Sequence, residues 1–162
     1  MRALGLAALA ALGVDQASKL VMINALDLPN RVEIDVIDPL LNFRWAENRG
    51  VNFGLMSGDS ELTRWLLVLL AVAISAWVIR WARKDQFGLW AMISAGLLVG
   101  GAAGNVIDRL FYGYVADFLN MSCCGLENPY AFNLADVFIF LGAVGLVLFT
   151  GRGQSGKAAP KG

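Results

Sequence analysis

LTRWLLVLLAVAISAWVIR, residues 62–80, is apolar over almost its whole length and has about the 20 residues that a helix needs to cross a hydrocarbon core. Three more runs of this kind surround it, near residues 3–24, 88–108 and 134–150. The run at 134–150 is as clean as the one at 62–80. The first carries Asp15 and Lys19 inside its apolar pattern, and the third ends in the polar group Asn105, Asp108 and Arg109. The chain has 162 residues, 57% of them hydrophobic, and a mean hydropathy of +0.60, too apolar for an ordinary soluble domain. The fold class expected is membrane α-helical, with four transmembrane helices in a single domain over residues 1–151.

Charge gives the orientation. Arg2, Arg80, Arg83, Lys84, Arg152, Lys157 and Lys161 all fall on one side if the chain crosses four times, and that side holds 7 of the 13 basic residues. Asp85 is its one acid. Positive-inside bias then puts both termini in the cytoplasm. Residues 1–14 also satisfy the loose pattern of a cleaved secretory signal. Against that, Asp15 and Lys19 lie four residues apart on one helical face, where pairing offsets the cost of charge in a membrane.

The extracytoplasmic segment, about residues 25–61, opens with Arg31-Val-Glu-Ile-Asp-Val-Ile-Asp38. Its polar and apolar side chains alternate as in a strand with one wet face. Pro39 breaks it, Leu40 to Trp45 offer a second strand, and Asn48-Arg-Gly-Val-Asn-Phe-Gly54 is rich in turn residues. The prediction is a small sheet and loop region on the membrane surface. Trp65, Trp77, Trp81 and Trp90 fall toward span ends and read as interfacial anchors. Gly96, Gly100 and Gly104 clear one stripe of the third span for close helix packing. Residues 152–162, rich in Gly, Lys and small residues, read as a disordered cytoplasmic tail.

Missing residue types narrow the chemistry. Without any His, the chain builds neither a Ser-His-Asp triad nor an imidazole-ligated zinc site. Its two Cys, the adjacent Cys123 and Cys124, are neither a disulfide framework nor a metal-binding spacing. Equal numbers of basic and acidic residues give no field to attract nucleic acid. Neither a metal nor a cofactor is expected. A hydrolase on this chain would use carboxylates, with a Ser-Lys pair of Lys19 and Ser57 or Ser122 as the rival.

Asp117, in Gly113-Tyr-Val-Ala-Asp-Phe118, and Asp136, in Phe132-Asn-Leu-Ala-Asp136, fall at the same membrane face by the four-span topology. Asn105, Asp108 and Arg109 share a helix face at that end, and Asn133 lies one turn before Asp136. Two readings of the acids stand here. Asp117 is a solvated loop acid and Asp136 a first-turn acid favoured by the helix dipole. Alternatively, the two share a proton, one serving as acid and the other as base. A transporter pathway built on Asp15, Lys19, Asp108 and Asp136, or a scaffold using the glycine stripe, would also account for buried charge and small residues.

Asp15-Gln-Ala-Ser-Lys19, Asn48 to Gly54, Gly101-Ala-Ala-Gly-Asn-Val-Ile-Asp-Arg109, Val115-Ala-Asp-Phe118 and Phe132 to Asp136 resemble, in order, the signature blocks of the bacterial lipoprotein signal peptidase (signal peptidase II) family. That resemblance implies an aspartic endopeptidase of the bacterial inner membrane whose catalytic pair is Asp117 and Asp136. The implied substrate is a prolipoprotein cut just before a diacylglyceryl-modified Cys. Asn48, Asn105, Asp108, Arg109 and Asn133 take supporting or substrate-binding roles, and Asp15 and Lys19 structural ones. Asn52 departs from the small residue that many family members carry there.

Overall fold

A computed structural model of the chain describes residues 1–37, 40–50, 60–122 and 128–150. Cys123, Cys124, Asn52, Ser57 and the 152–162 tail lie outside the described residues. Helix α1 (Arg2–Leu20) runs on through a wider π turn, Val21–Ala25, into the short helix α2 (Leu28–Arg31). Strands β1 (Glu33–Ile37) and β2 (Leu41–Asn48) follow, then α3 (Ser60–Lys84), α4 (Leu89–Phe111), β3 (Val115–Met121) and α5 (Leu134–Thr150).

Three helices, Arg2–Ala25, Glu61–Lys84 and Leu89–Phe111, are long and apolar enough to span a membrane. The fourth expected span, α5, is apolar after Asp136 in its first turn, but its 17 residues extend only about 25 Å. α4 is the hub, packing on α1, α3 and α5. It is mostly buried, whereas α3 exposes Leu66, Leu69, Leu70, Val72 and Ile74 as a lipid-facing helix does.

Backbone proximity explains the glycines. A Cβ on Gly96 would collide with the Leu4 carbonyl and one on Gly100 with the Ala8 carbonyl, so the stripe seats α1 on α4, running parallel. On another face of α4, Gly101 gives way to the Ala135 carbonyl, while Gly142 and Gly145 of α5 approach Ser94 and Leu98. α5 is therefore antiparallel to α4. Trp65 and Trp77 are exposed; Trp65 Nε1 donates to Glu61 at 3.0 Å and Trp81 Nε1 to Asp85 at 2.8 Å. The indole N–H groups of Trp65 and Trp81 thus each find an exposed carboxylate, the polar handle an interfacial ring uses.

The sheet caps one end of the bundle in the order β1-β2-β3, all antiparallel. Both predicted strands form. The third does not follow from the sequence: the solvated loop acid that is one reading of Asp117 gives way to a buried residue in β3, opposite Ala46 of β2. β3 carries no polar-apolar alternation because both its faces are covered, Val115 through Phe118 all being buried. Met22, Leu28 and Phe118 form the small core beneath the sheet.

Candidate active site

Asp117 projects from the middle of β3 and is 2% exposed. Asn48, at the end of β2, donates through Nδ2 to its Oδ2 at 3.0 Å, and Asn133 donates through Nδ2 to its Oδ1 at 2.6 Å. Asp136 lies in the first turn of α5. Its Oδ1 accepts from Asn105 Nδ2 at 2.8 Å, and its Oδ2 from the Asn133 backbone N–H at 3.3 Å. The Asp136 N–H returns a bond to Asn133 Oδ1 at 3.0 Å. Asn133 and Asp136 therefore form a reciprocal capping box, which orients the Asp136 carboxylate while satisfying helix-end donors. Asn133 Nδ2 also donates to Asn105 Oδ1 at 3.2 Å, so the three Asn side chains and two Asp carboxyls make one connected network.

Burial pushes the Asp117 carboxyl up to about 7, and the neighbouring charge of Asp136 pushes the same way against the two amide donors. Arg109 lies within electrostatic reach of both acids. Its Nη1 donates to the Asn105 carbonyl at 3.3 Å, and its Nε has no hydrogen-bond partner among the described residues. Arg109, Asp117 and Asn48 line a cleft of about 660 Å³ with Ala46, Arg49, Leu67 and Tyr130. An open cleft lined by the Asp117 carboxyl and by a guanidinium holding spare donors can bind and polarise a peptide carbonyl.

Asp108 is placed elsewhere than the helix-face reading suggests. With about 100° per residue, it falls some 60° to one side of Asn105 while Arg109 falls about 40° to the other. Asp108 turns toward α1, fully buried, and its Oδ2 pairs with Lys19 Nζ at 2.7 Å. Lys19 Nζ also meets Asp15 Oδ2 at 2.8 Å. The other contacts of these two acids reach the site: Asp15 Oδ1 accepts from the Ala135 N–H at 2.9 Å and Asp108 Oδ2 from the Ala116 N–H at 3.2 Å. The residue immediately before each site acid is thus tied by its amide to one buried, lysine-bridged yoke. A Lys19 held by two carboxylates is a poor candidate for a general base.

Gln16 was missed. Its Nε2 donates to Asp15 Oδ2 at 3.2 Å and Asp108 Oδ1 at 3.0 Å, closing the yoke on its partly exposed side. A polar residue between two intramembrane charges was the available signal. Among the described residues no group of three or more His, Cys, Asp or Glu is placed to hold a metal ion.

Residues 7–151 match the protein-family model for signal peptidase (SPase) II. Proteins named lipoprotein signal peptidase are similar over most of the chain. That of a Methylobacterium species (strain 4-46) is 43% identical, covering 91% of this chain and 88% of the relative. Those of Aeromonas hydrophila and Neisseria gonorrhoeae are 40% and 38% identical, covering 89% and 87% of this chain and 85% and 84% of theirs. Two solved bacterial membrane enzymes, determined by the in meso method at 2.3 and 1.9 Å resolution, share the fold. Their TM-scores are 0.76 and 0.75 at 25% and 26% identity, over 97% and 88% of this chain and 92% and 88% of theirs. With helices fit to span a bilayer, a cleft at the sheet-capped end and a family match over nearly the whole chain, this protein belongs to the signal peptidase II family of membrane peptidases.

Proposed function

We propose that the protein is an aspartic endopeptidase of the bacterial inner membrane that removes signal peptides from lipid-modified prolipoproteins, cutting just before the diacylglyceryl-Cys with Asp117 and Asp136 as its catalytic pair. The observation that carries this reading is Asn133, which hydrogen-bonds to both acids and so holds them as one unit. The family membership supports the substrate class.

Asp117, raised to about 7, is the member that keeps its proton near neutrality. Asp136, accepting from Asn105 and the Asn133 amide, is the base. Asp136 takes a proton from water as the water oxygen bonds to the scissile carbonyl carbon, and Asp117 gives its proton to the carbonyl oxygen. The resulting gem-diol collapses as Asp136 passes its proton to the amide nitrogen and Asp117 takes one back from a diol hydroxyl. The C–N bond breaks, the signal peptide leaves as a carboxylic acid, and the lipidated Cys is left with a free amine. Arg109 donates to the peptide carbonyls that bring the bond into place. Metal ions and covalent intermediates play no part.

Positive-inside bias puts the α3–α4 connection, with Arg80, Arg83 and Lys84, in the cytoplasm, along with both termini. The sheet and cleft then face outward, where the lipid and signal helix of the substrate enter sideways from the bilayer. The deciding experiment replaces Asp117 and Asp136 separately with Asn and assays cleavage of a lipidated prolipoprotein in vesicles. Turnover falls by at least about a thousandfold in each; near-normal turnover in either would defeat the pairing.

A further inference from the structure

Asn120 lies on β3, three residues past Asp117, and is 1% exposed. A buried amide there could bond to its own strand neighbours. Instead its Nδ2 donates to two carbonyls of a separate segment, Asn128 O at 2.7 Å and Tyr130 O at 2.8 Å. Its Oδ1 accepts from Ser122 Oγ at 3.2 Å, and that hydroxyl oxygen accepts from the Asn128 N–H at 3.1 Å. The Tyr130 N–H closes onto Asn128 Oδ1 at 3.0 Å. The backbone from Asn128 to Tyr130 is therefore fixed by one buried side chain and its supporting hydroxyl.

That backbone lines the cleft through Pro129, Tyr130 and Ala131. The Tyr130 side chain takes little part in the fold's own packing, the residue being 76% exposed. Beyond Ala131, Phe132 is bridged to Leu119 by backbone bonds of 2.8 and 2.9 Å, and Asn133 with its two acids follows. The Leu119–Phe132 bridge separates the segment clamped by Asn120 from the segment that holds the acids. Pro129 is rigid and Ala131 is short, so along this stretch of the lining the backbone sets where the wall stands.

We propose that Asn120 is a positioning residue that fixes the Asn128–Ala131 wall of the cleft, and that this wall selects substrates by the side chain next to the scissile bond. The proposal rests on the peptidase reading above. It assigns Asn120 to substrate selection and leaves the acid-base chemistry to the network of Asn48, Asn105 and Asn133.

The test uses the full-length protein in vesicles and lipidated prolipoproteins that differ only in the residue before the lipidated Cys, Gly against Leu. Asn120→Leu keeps the branched side-chain shape and removes both N–H donors and the acceptor oxygen. It changes the Gly-to-Leu ratio of kcat/KM by about tenfold, mostly through KM, and leaves the pH profile of kcat in place. Ser122→Ala, which loosens the clamp without removing it, moves the ratio the same way by less and answers the question if Asn120→Leu does not fold. An unchanged ratio in the folded variant, or equal loss on both substrates with a displaced pH profile, overturns the proposal and leaves Asn120 a structural residue. A wild-type protein that cuts neither substrate defeats the peptidase reading itself. One that cuts both equally defeats only the selecting wall.

Discussion

Asn133 Nδ2 donates to Asp117 Oδ1 at 2.6 Å while the Asn133 backbone N–H donates to Asp136 Oδ2 at 3.3 Å, so one residue at the start of α5 spans the two acids. Replacing it with Ala removes the bridge and half of a capping box together. Loss of the cap costs about 1 kcal/mol, whereas loss of the bridge lowers kcat by about a hundredfold. Thermal melting and kcat, measured on the same Asn133→Ala preparation, separate the two effects. A full kcat would show that the acids hold their spacing without Asn133.

Stability depends on pH through Asp117. The folded protein raises this carboxyl from 3.8 to about 7, so between those values the folded state binds the proton more tightly than the unfolded chain. The stabilisation is complete below about pH 4 and is lost as pH rises toward 7. Above that, the buried charge is a burden, and Asp117→Asn relieves it. The variant should be more stable than wild type at pH 8, by on the order of a few kcal/mol, and nearly equal to it at pH 4. Equal melting at both values would mean that the carboxyl is not raised. The rate follows the same proton: kcat falls as pH climbs through about 7 and the acid is lost.

Lys19 bridges two buried carboxylates, and Lys19→Met leaves Asp15 and Asp108 without their shared cation. Removing one partner of a buried ion network typically costs about 3–5 kcal/mol. Adding Asp108→Asn restores much of this by removing an orphaned charge. Denaturant or thermal unfolding in detergent reads both steps; a double variant no better than the single one would contradict the ionic account.

The glycine stripe predicts a contrast between positions. Gly100→Val drives a side chain into the Ala8 carbonyl and costs about 1–3 kcal/mol. Gly5→Ala and Gly13→Ala, where nothing lies within 4 Å, are neutral or slightly stabilising. Gly50 has φ +113° and meets Thr63 of α3 at 2.6 Å from a built Cβ. Gly50→Ala therefore disturbs the turn after Asn48 and lowers kcat more than it lowers the melting temperature.

The spans, the hairpin of β1 and β2, and the seat of Asp136 were legible because each has a local signature: an apolar run, an alternation, an acid opening a helix. β3 was not, since a strand covered on both faces shows no period of two, and its partner β2 lies some seventy residues earlier. The Asp15–Lys19 pair was legible from its spacing of four. That Lys19 also reaches Asp108, and that both acids extend to the amides of Ala135 and Ala116, is a long-range matter that no local pattern encodes. Asn120 was passed over for the same reason, its partners being backbone carbonyls eight and ten residues away.

The yoke of Asp15, Lys19 and Asp108 joins the first long helix to the third, and the amides it holds belong to segments made later still. During synthesis, α1 enters the bilayer with its lysine and acid matched only to each other. β2 waits as an open edge until β3 emerges. The two halves of the site are drawn together only once the start of α5 has left the ribosome. A nascent chain that stops before α5 therefore holds only half of the network, and the arrangement around Asp117 and Asp136 can close only after α1, α3 and α4 have been made.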